Sequence, residues 1–291
     1  MQTEQQNPKS QALDTLSIGE ILRVMNDEDK TVAVTVERAL PQIEKAVNAI
    51  VASLKQEGRL IYIGAGTSGR NGVLDAVECV PTFGTPPTLV QAFIAGGNLA
   101  FIRAVEGAED DVQAGEDDLK SIDLTERDIV VGIAASGRTP YVLGGLAYAK
   151  SIGTQTVGIS CNEPAALLDE ADIAIAISTG PEVLSGSTRL KAGTAQKMVL
   201  NMLSTVSMVK MGKVYGNLMV DVQITNEKLQ RRAEGILMEL TDLEQAVAEK
   251  LLAEAQGSVK IAVVMHHEHL SYEEACQKLD AADGNLRMII G

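Results

Sequence analysis

The chain has 291 residues, 45% of them hydrophobic and 22% charged. That balance excludes disordered and fibrous classes and supplies a full globular core, with a length prior of about two domains. Lys and Arg number 25 against 39 Asp and Glu, a net charge of −14, which repels phosphate backbones and anionic headgroups alike; nucleic acid and membrane are not expected partners. An anionic ligand would need a local trap of backbone N–H groups, hydroxyls and a few cations.

The N-terminal MQTEQQNPKSQALDT is polar, without the apolar core of a leader, and no run approaches the roughly 18 apolar residues of a bilayer span, so a cytoplasmic protein is expected. Ser17 and Glu20 have capping-box spacing, and ILRVM behind them predicts a short first helix. Leu40, Ile43, Val47, Ile50, Val51 and Leu54 recur at helical spacing, with Gly58 as the stop.

Five short apolar runs follow: LIYIGA (60–65), TLVQAFIA (88–95), DIVVGIAA (128–135), QTVGISC (155–161) and DIAIAIST (172–179). Helical stretches such as GVLDAVECV, LAFIRAV, YVLGGLAYAKSI and LLDEA separate them, the pattern of parallel strands buried on both faces. The predicted fold is α/β: a doubly wound five-stranded parallel sheet with a C-terminal all-helical module. The expected divisions are residues 1–58, helices packing on the sheet; 59–216, the sheet domain; and 217–291, the helical module.

Residues 187–211 read as a long helix too apolar to face solvent all round, hence a core or dimer helix, and a homodimer is expected. From Asp221 the chain reads as helix throughout, with Gly257 and Gly284 as stops; the last three helices resemble a ubiquitin-associated module, a likeness without functional weight. His266, His267 and His269 lack metalloprotease spacing and read as a helix end. Cys79, Cys161 and Cys276 are odd in number and far apart, so core thiols are expected, with neither disulfides nor a metal site.

The first strand runs into Gly64-Ala-Gly66-Thr67-Ser68-Gly69-Arg70, which matches the G-x-G-x-x-G dinucleotide fingerprint. The second strand, TLVQAFIAGG, ends without the acidic residue that would hold a ribose, so the nicotinamide reading loses its second support. Thr67 and Ser68 instead open the following helix, where free N–H groups attract an anion. The third strand ends in a similar loop, Ala135-Ser136-Gly137-Arg138-Thr139-Pro140, with Pro140 suited to a first helical turn. Ligands of open parallel sheets bind outside the carboxyl ends of the strands, so both loops can serve one phosphorylated ligand. Gly66, Thr67, Ser68, Gly69, Ser136, Gly137 and Thr139 are the candidate contacts for such a ligand. Aromatic residues are 3% of the chain and Trp is absent, which argues against a stacking platform and for a small ligand.

GAGTSGR and AASGRTP resemble the two phosphate loops of the sugar isomerase (SIS) fold. Together with DAVECVPTFG (75–84), IAGG…AVEGAEDD (94–111), VVGIAASGRTPY (130–141) and STRLKAGTAQKMVLNMLST (187–205), they closely resemble the bacterial N-acetylmuramic acid 6-phosphate etherases over nearly the whole chain. The resemblance implies an acid/base pair at Glu78 and Glu109, an amino-sugar phosphate substrate, a role in cell-wall sugar recycling, and no cofactor. The chemistry agrees that two carboxyls are needed: the D-lactyl ether sits on carbon 3, next to the acidic C–H of carbon 2 in the open-chain aldehyde. A base removes that proton, an acid protonates the departing oxygen, and water adds back to give N-acetylglucosamine 6-phosphate and D-lactate. Glu109 is read as the base and Glu78 as the acid that also orients water, an order that the sequence leaves open.

Glu78, between Val77 and Cys79, reads either as buried in an apolar helix or as lying on its exposed edge; Glu109 stands in a charge run of the kind that forms solvated faces. Glu106, Asp110 and Asp111 read as solvent residues. Arg70, Arg138, Arg189 and Lys191 are candidates for the lactyl carboxylate, each equally readable as a surface or helix-terminal charge, and Lys191 and Ser185 for closing the pocket. Competing readings are an aldose-ketose isomerase, which would form no lactate, and a non-catalytic phosphosugar sensor like the glucokinase regulatory protein, which carries a second such domain. A transcriptional regulator would need a basic helix-turn-helix, and the first 58 residues offer no basic patch.

Overall fold

The computed structural model describes Met1–Gly291. The chain forms two compact units, one of Met1–Ala76 and Leu89–Ser204 and one of Val77–Thr88 and Thr205–Gly291.

The first unit opens with two single 3₁₀ turns, Gln2–Glu4 and Leu13–Thr15, before helix α1 (Ile18–Arg38). Ser17 and Glu20 form the reciprocal capping box read from the sequence. The helix runs far beyond the short one expected, because Glu28, Val32 and Val36 continue its buried stripe at i, i+4 spacing past the polar NDEDKT. Helix α2 (Leu40–Lys55) buries Ile43, Ala46, Val47, Ile50 and Leu54 and packs on the sheet. Its stop differs from the expectation: Glu57, not Gly58, takes the left-handed backbone (φ 61°). Gly58 serves close approach, since a Cβ there would lie 1.9 Å from the Arg127 carbonyl oxygen.

Strands β1 (Leu60–Gly64), β2 (Val90–Ile94), β3 (Ile129–Ala134), β4 (Gln155–Ser160) and β5 (Ile173–Ala176) pair in parallel in the order β2-β1-β3-β4-β5. The five predicted runs are these five strands, and β1 and β3 are buried along their whole length, as a sheet covered on both faces requires. Helices α3 (Gly66–Phe83), α4 (Gly97–Ile102), α5 (Val112–Lys120), α6 (Pro140–Ser151), α7 (Ala166–Glu170) and α8 (Lys191–Lys210) make the connections. Helices α5 and α6 touch through glycines: a Cβ on Gly115 would meet the Tyr141 carbonyl oxygen at 2.0 Å, and one on Gly144 that of Val112 at 2.2 Å.

Helix α8 begins at Lys191, four residues later than expected, because the Glu182 carboxylate accepts the N–H groups of Lys191 (3.0 Å) and Ala192 (2.9 Å) and so caps it there. Ala192, Ala195, Gln196, Val199, Leu200 and Leu203 are buried while Thr194, Asn201 and Thr205 are exposed, so the helix is one-sided despite its composition.

The second unit takes the end of α3, the end of α8, and helices α9 (Glu227–Thr241), α10 (Gln245–Glu254), α11 (Val259–Glu268), α12 (Tyr272–Ala281) and α13 (Arg287–Ile290). Leu229, Ala233, Leu237, Leu252, Val263 and Leu286 belong to its own core. Gly257 (φ 83°) and Gly284 (φ 69°) are left-handed at helix ends, as read, and His269 caps α11 in the same conformation, with His266 and His267 in the last turn. Cys79 and Cys161 are buried, whereas Cys276 is only half-buried and not the core thiol expected. No helix is long and apolar enough to cross a membrane.

Candidate active site

Strands β1 and β3 are neighbours, paired from Leu60 opposite Ile129 to Gly64 opposite Ile133, so the loops after them leave the same edge of the sheet side by side. In the order 2-1-3-4-5 this is the switch point, where chain connections run away in opposite directions and open a crevice. The first loop turns through Gly66 at φ 53° into α3. A Cβ on Gly69 would lie 2.7 Å from the Gly64 carbonyl oxygen, so that glycine lets α3 start directly against β1. Thr67 is half-buried and Ser68 buried in the opening turn. In the second loop Gly137 is left-handed (φ 65°), and a Cβ there would meet Ser160 Oγ and Ala165 Cβ at 2.5 Å. Ser136 Oγ accepts from the Arg138 N–H at 3.2 Å, and Thr139 holds the N-cap of α6 without capping it through its side chain, ahead of Pro140.

Sequence reading missed the residue that ties down this second loop. Asn162, buried just after β4, donates from Nδ2 to the Ala135 carbonyl (2.8 Å) and to Thr3 Oγ1 (3.0 Å), and its Oδ1 accepts the N–H of Gln2 at 2.8 Å. The amide thereby fastens the N-terminus to the loop; nothing in C-N-E-P announces a partner 159 residues away.

A cleft of about 300 Å³ opens at the first loop, lined by Gly66 and Arg70 on one side, by Ala95 after β2, and by Glu106 and Glu109. The Arg70 guanidinium donates to the carbonyls of Ala100 (2.6 Å) and Phe101 (3.2 Å) at the end of α4, which holds a cation in the cleft wall. Glu109 is exposed on a 3₁₀ turn, Ala108–Asp110, that Gly107 introduces at φ 74°. Glu106, read as a solvent residue, shares the lining, whereas Asp111 caps α5 by accepting the Ala114 N–H at 3.0 Å.

Two of the expectations for cations and closing groups are corrected. Lys191 is 3% exposed and its Nζ lies 2.6 Å from Glu28 Oε2, so it is a core ion-pair partner and not a ligand cation. Ser185 donates to the Gln5 carbonyl at 3.2 Å and so belongs to the docking of the N-terminal segment. Arg138 and Arg189 are exposed.

Glu78 lies in the second unit and is exposed on α3, as is Val77, so the buried alternative is not the one realised. The reason is periodic: the buried stripe of α3 runs through Gly72, Asp75, Ala76 and Cys79, and Glu78 falls about 100° off Cys79. The carboxyl that α3 does bury is Asp75, which accepts from Tyr62 Oη (2.9 Å) and Ser204 Oγ (3.0 Å). Burial pushes it above the usual range, against the pull of both hydrogen bonds and of the Lys197 charge.

A five-stranded parallel sheet with hydroxyl-bearing glycine loops at its switch point is the SIS type of domain. Models of the glucokinase regulatory protein N-terminal SIS domain and of the SIS domain match residues 42–150 and 111–206. Phosphoheptose isomerases from Neisseria gonorrhoeae (TM-score 0.52, 12% identity, covering 66% of this chain and 99% of that one) and Francisella tularensis (0.50, 17%, covering 67% and 100%) share the fold. The chain belongs to the N-acetylmuramic acid 6-phosphate etherase family: it is 57% identical to the etherase of that name from Bacillus cereus over 98% of this chain and 97% of that one, and 56% identical to the one from Geobacillus thermodenitrificans over the same shares.

Proposed function

We propose that this protein cleaves the D-lactyl ether of N-acetylmuramic acid 6-phosphate by elimination and hydration, releasing D-lactate and N-acetylglucosamine 6-phosphate in cell-wall sugar recycling. Identity to etherases along nearly the whole chain supports the substrate, and one observation supports the placement: Glu109 shares a cleft with Gly66 of the first phosphate loop. The phosphate is assigned to the N–H groups and hydroxyls of Gly66, Thr67, Ser68, Gly69, Ser136, Gly137 and Thr139, at the mouth of two helices whose positive ends favour an anion.

Glu109 is assigned as the base that takes the carbon 2 proton of the open-chain aldehyde. The electron pair of that C–H bond forms the carbon 2–carbon 3 double bond as the carbon 3–oxygen bond breaks, and Glu78 is assigned as the acid that protonates the lactate oxygen. Water adds at carbon 3 of the unsaturated aldehyde and carbon 2 is reprotonated, so no net redox change occurs. Arg70, fixed in the cleft wall, is the cation best placed for the lactyl carboxylate. Residues 59–216 are assigned as the sugar-phosphate domain, with 1–58 as helices packed on it and 217–291 as a helical module, although 77–88 and 205–216 cluster with the helical unit.

The test is turnover in oxygen-18 water. Label on the sugar with unlabelled lactate is expected; label in lactate would mean attack at the lactyl carbon and overturn the mechanism, and no lactate at all would overturn the activity.

A homodimer is part of the same proposal. Leu99, Phe101, Ile102 and Val112 are exposed on the segment that walls the Glu109 cleft, Ile102 at 85%, an apolar surface that a second copy would cover. Light scattering at micromolar concentration is expected to give the mass of two chains; a monomer mass would remove the dimer from the reading.

A further inference from the structure

Gln196 is 1% exposed, and neither its amide nitrogen nor its amide oxygen has a hydrogen-bond partner. Burying such a group unpaired is costly, whereas Leu or Met would fill the same volume without that cost. An orphaned amide in a well-ordered core calls for an explanation.

Helix α8 locates it. Gly193, three residues earlier, faces the first phosphate loop: a Cβ there would lie 3.1 Å from Thr67 Cγ2, and its carbonyl accepts from Asn71 Nδ2 at 3.0 Å. Ala192, four residues earlier, faces the second: its carbonyl lies 3.7 Å from Cys161 Sγ, and the Cys161 N–H donates to the Ala135 carbonyl, next to Ser136, at 3.1 Å. Positions three and four apart share a helix face, and helical side chains lean back toward the N-terminus. Gln196 therefore shares the helix face of Ala192 and Gly193, the two residues that adjoin the ends of β4 and β1. Asn71, Asn162, Glu182 and Lys191 nearby are hydrogen-bonded, while Thr179 Oγ1, after β5, is buried and unpaired as well.

We infer that Gln196 is a positioning residue for the phosphosugar: its amide takes its partners from the backbone of the first phosphate loop as that loop settles on a bound phosphate ester. It is sealed from solvent, so it acts through the loop and not on the ligand directly. The first loop turns on the left-handed Gly66, where a Cβ would meet nothing within 4 Å, so its peptide groups reorient at little cost; the second is held through Ala135 and Gly137. Ligand binding then satisfies a donor and an acceptor that are otherwise unpaired, and that gain appears as affinity. The inference rests on the sugar-phosphate reading of the site.

Gln196→Met, similar in length and unbranched, tests it. The variant without ligand is expected to melt at the same temperature as wild type or a few degrees higher, because an unpaired amide has been removed. Its calorimetric affinity for N-acetylglucosamine 6-phosphate is expected to fall about tenfold or more, with KM rising in step and kcat within about threefold. A lower melting temperature with unchanged affinity would make Gln196 an ordinary core residue and overturn the inference, as would a higher one with unchanged affinity. Wild-type protein provides a check that needs no variant: with ¹⁵N-labelled glutamine, one buried side-chain amide is expected to gain protection from exchange on adding the phosphosugar, and no such gain would also overturn the inference. Wild type that binds the phosphosugar yet releases no lactate would sink the etherase reading alone; lactate release with unchanged affinity in Gln196→Met would sink this inference alone.

Discussion

Replacing Glu28 by Met is expected to destabilise the protein by about 3 kcal/mol or more in denaturant titrations, even though the new side chain is the more apolar. Glu28 Oε2 accepts from Lys191 Nζ at 2.6 Å and from Asn7 Nδ2 at 2.8 Å, and Oε1 accepts from Lys9 Nζ at 2.9 Å. Lys9 is largely in solvent and loses little, but Lys191 is 3% exposed, so the variant strands an ammonium in the core at the N-terminus of α8, where the helix dipole is also positive. Glu182 cannot replace the lost partner fully, because its oxygens are already engaged with the backbone N–H groups of Lys191 and Ala192. The double variant Glu28→Met/Lys191→Met is expected to recover most of the loss, since the cost lies in the uncompensated charge and not in the missing bond. A double variant as unstable as the single one would show that packing around Glu28, and not charge, sets the effect.

The same carboxylate gives a pH signature with a definite sign. Burial by itself would raise Glu28, but hydrogen bonds from Lys191, Lys9 and Asn7 and the Lys191 charge outweigh it and hold the carboxyl at about 2, against an ordinary value of 4.5. A folded value below the unfolded one contributes stability that is complete above 4.5 and is lost as pH falls toward 2. Asp75 and Glu182, which burial raises, carry the opposite sign and do not supply this acid loss. Denaturation midpoints between pH 5 and pH 3 are expected to fall more steeply for wild type than for Glu28→Met; parallel curves would contradict the assignment. The N-terminal segment shares the outcome, because Asn7 of this network also donates to the Pro181 carbonyl, and Ser10 Oγ to that of Val183 at 2.7 Å.

What was legible in the sequence was what is local. The strands announced themselves because a strand buried on both faces must be apolar at consecutive positions, and the Ser17 cap because its partner lies three residues on. The glycine loops after β1 and β3 were legible for the same reason, and the expectation that they converge agrees with the pairing of β1 and β3 at the switch point of the sheet. What was missed acts across long separations: the partner of Lys191, Glu28, lies 163 positions away, and Asn162 and Thr3 meet over 159. Asp75 was missed for a different reason. Glu78 drew attention by its setting between Val77 and Cys79, but one residue of helical phase decides which carboxyl points inward.

Glu109→Gln is expected to lower the rate of D-lactate release about a thousandfold or more, while leaving stability within about 0.5 kcal/mol and the affinity for N-acetylglucosamine 6-phosphate nearly unchanged. The side chain stands exposed on a 3₁₀ turn at the edge of the cleft, so neutralising it opens no cavity in the core, and the change falls on proton transfer alone. Glu78→Gln, also at an exposed position, is expected to lose lactate release just as severely. The two variants separate when the reaction is divided. Exchange of the carbon 2 proton of N-acetylglucosamine 6-phosphate with deuterium oxide needs only a base and an open-chain aldehyde, with no ether to break. If Glu109 is the base, its Gln variant loses this exchange along with turnover, whereas Glu78→Gln keeps the exchange and loses only the cleavage that requires protonation of the leaving oxygen. The reverse pattern would swap the two roles. Exchange preserved in both variants would remove Glu109 from proton abstraction and move the search to Glu106, the other carboxylate of the same cleft.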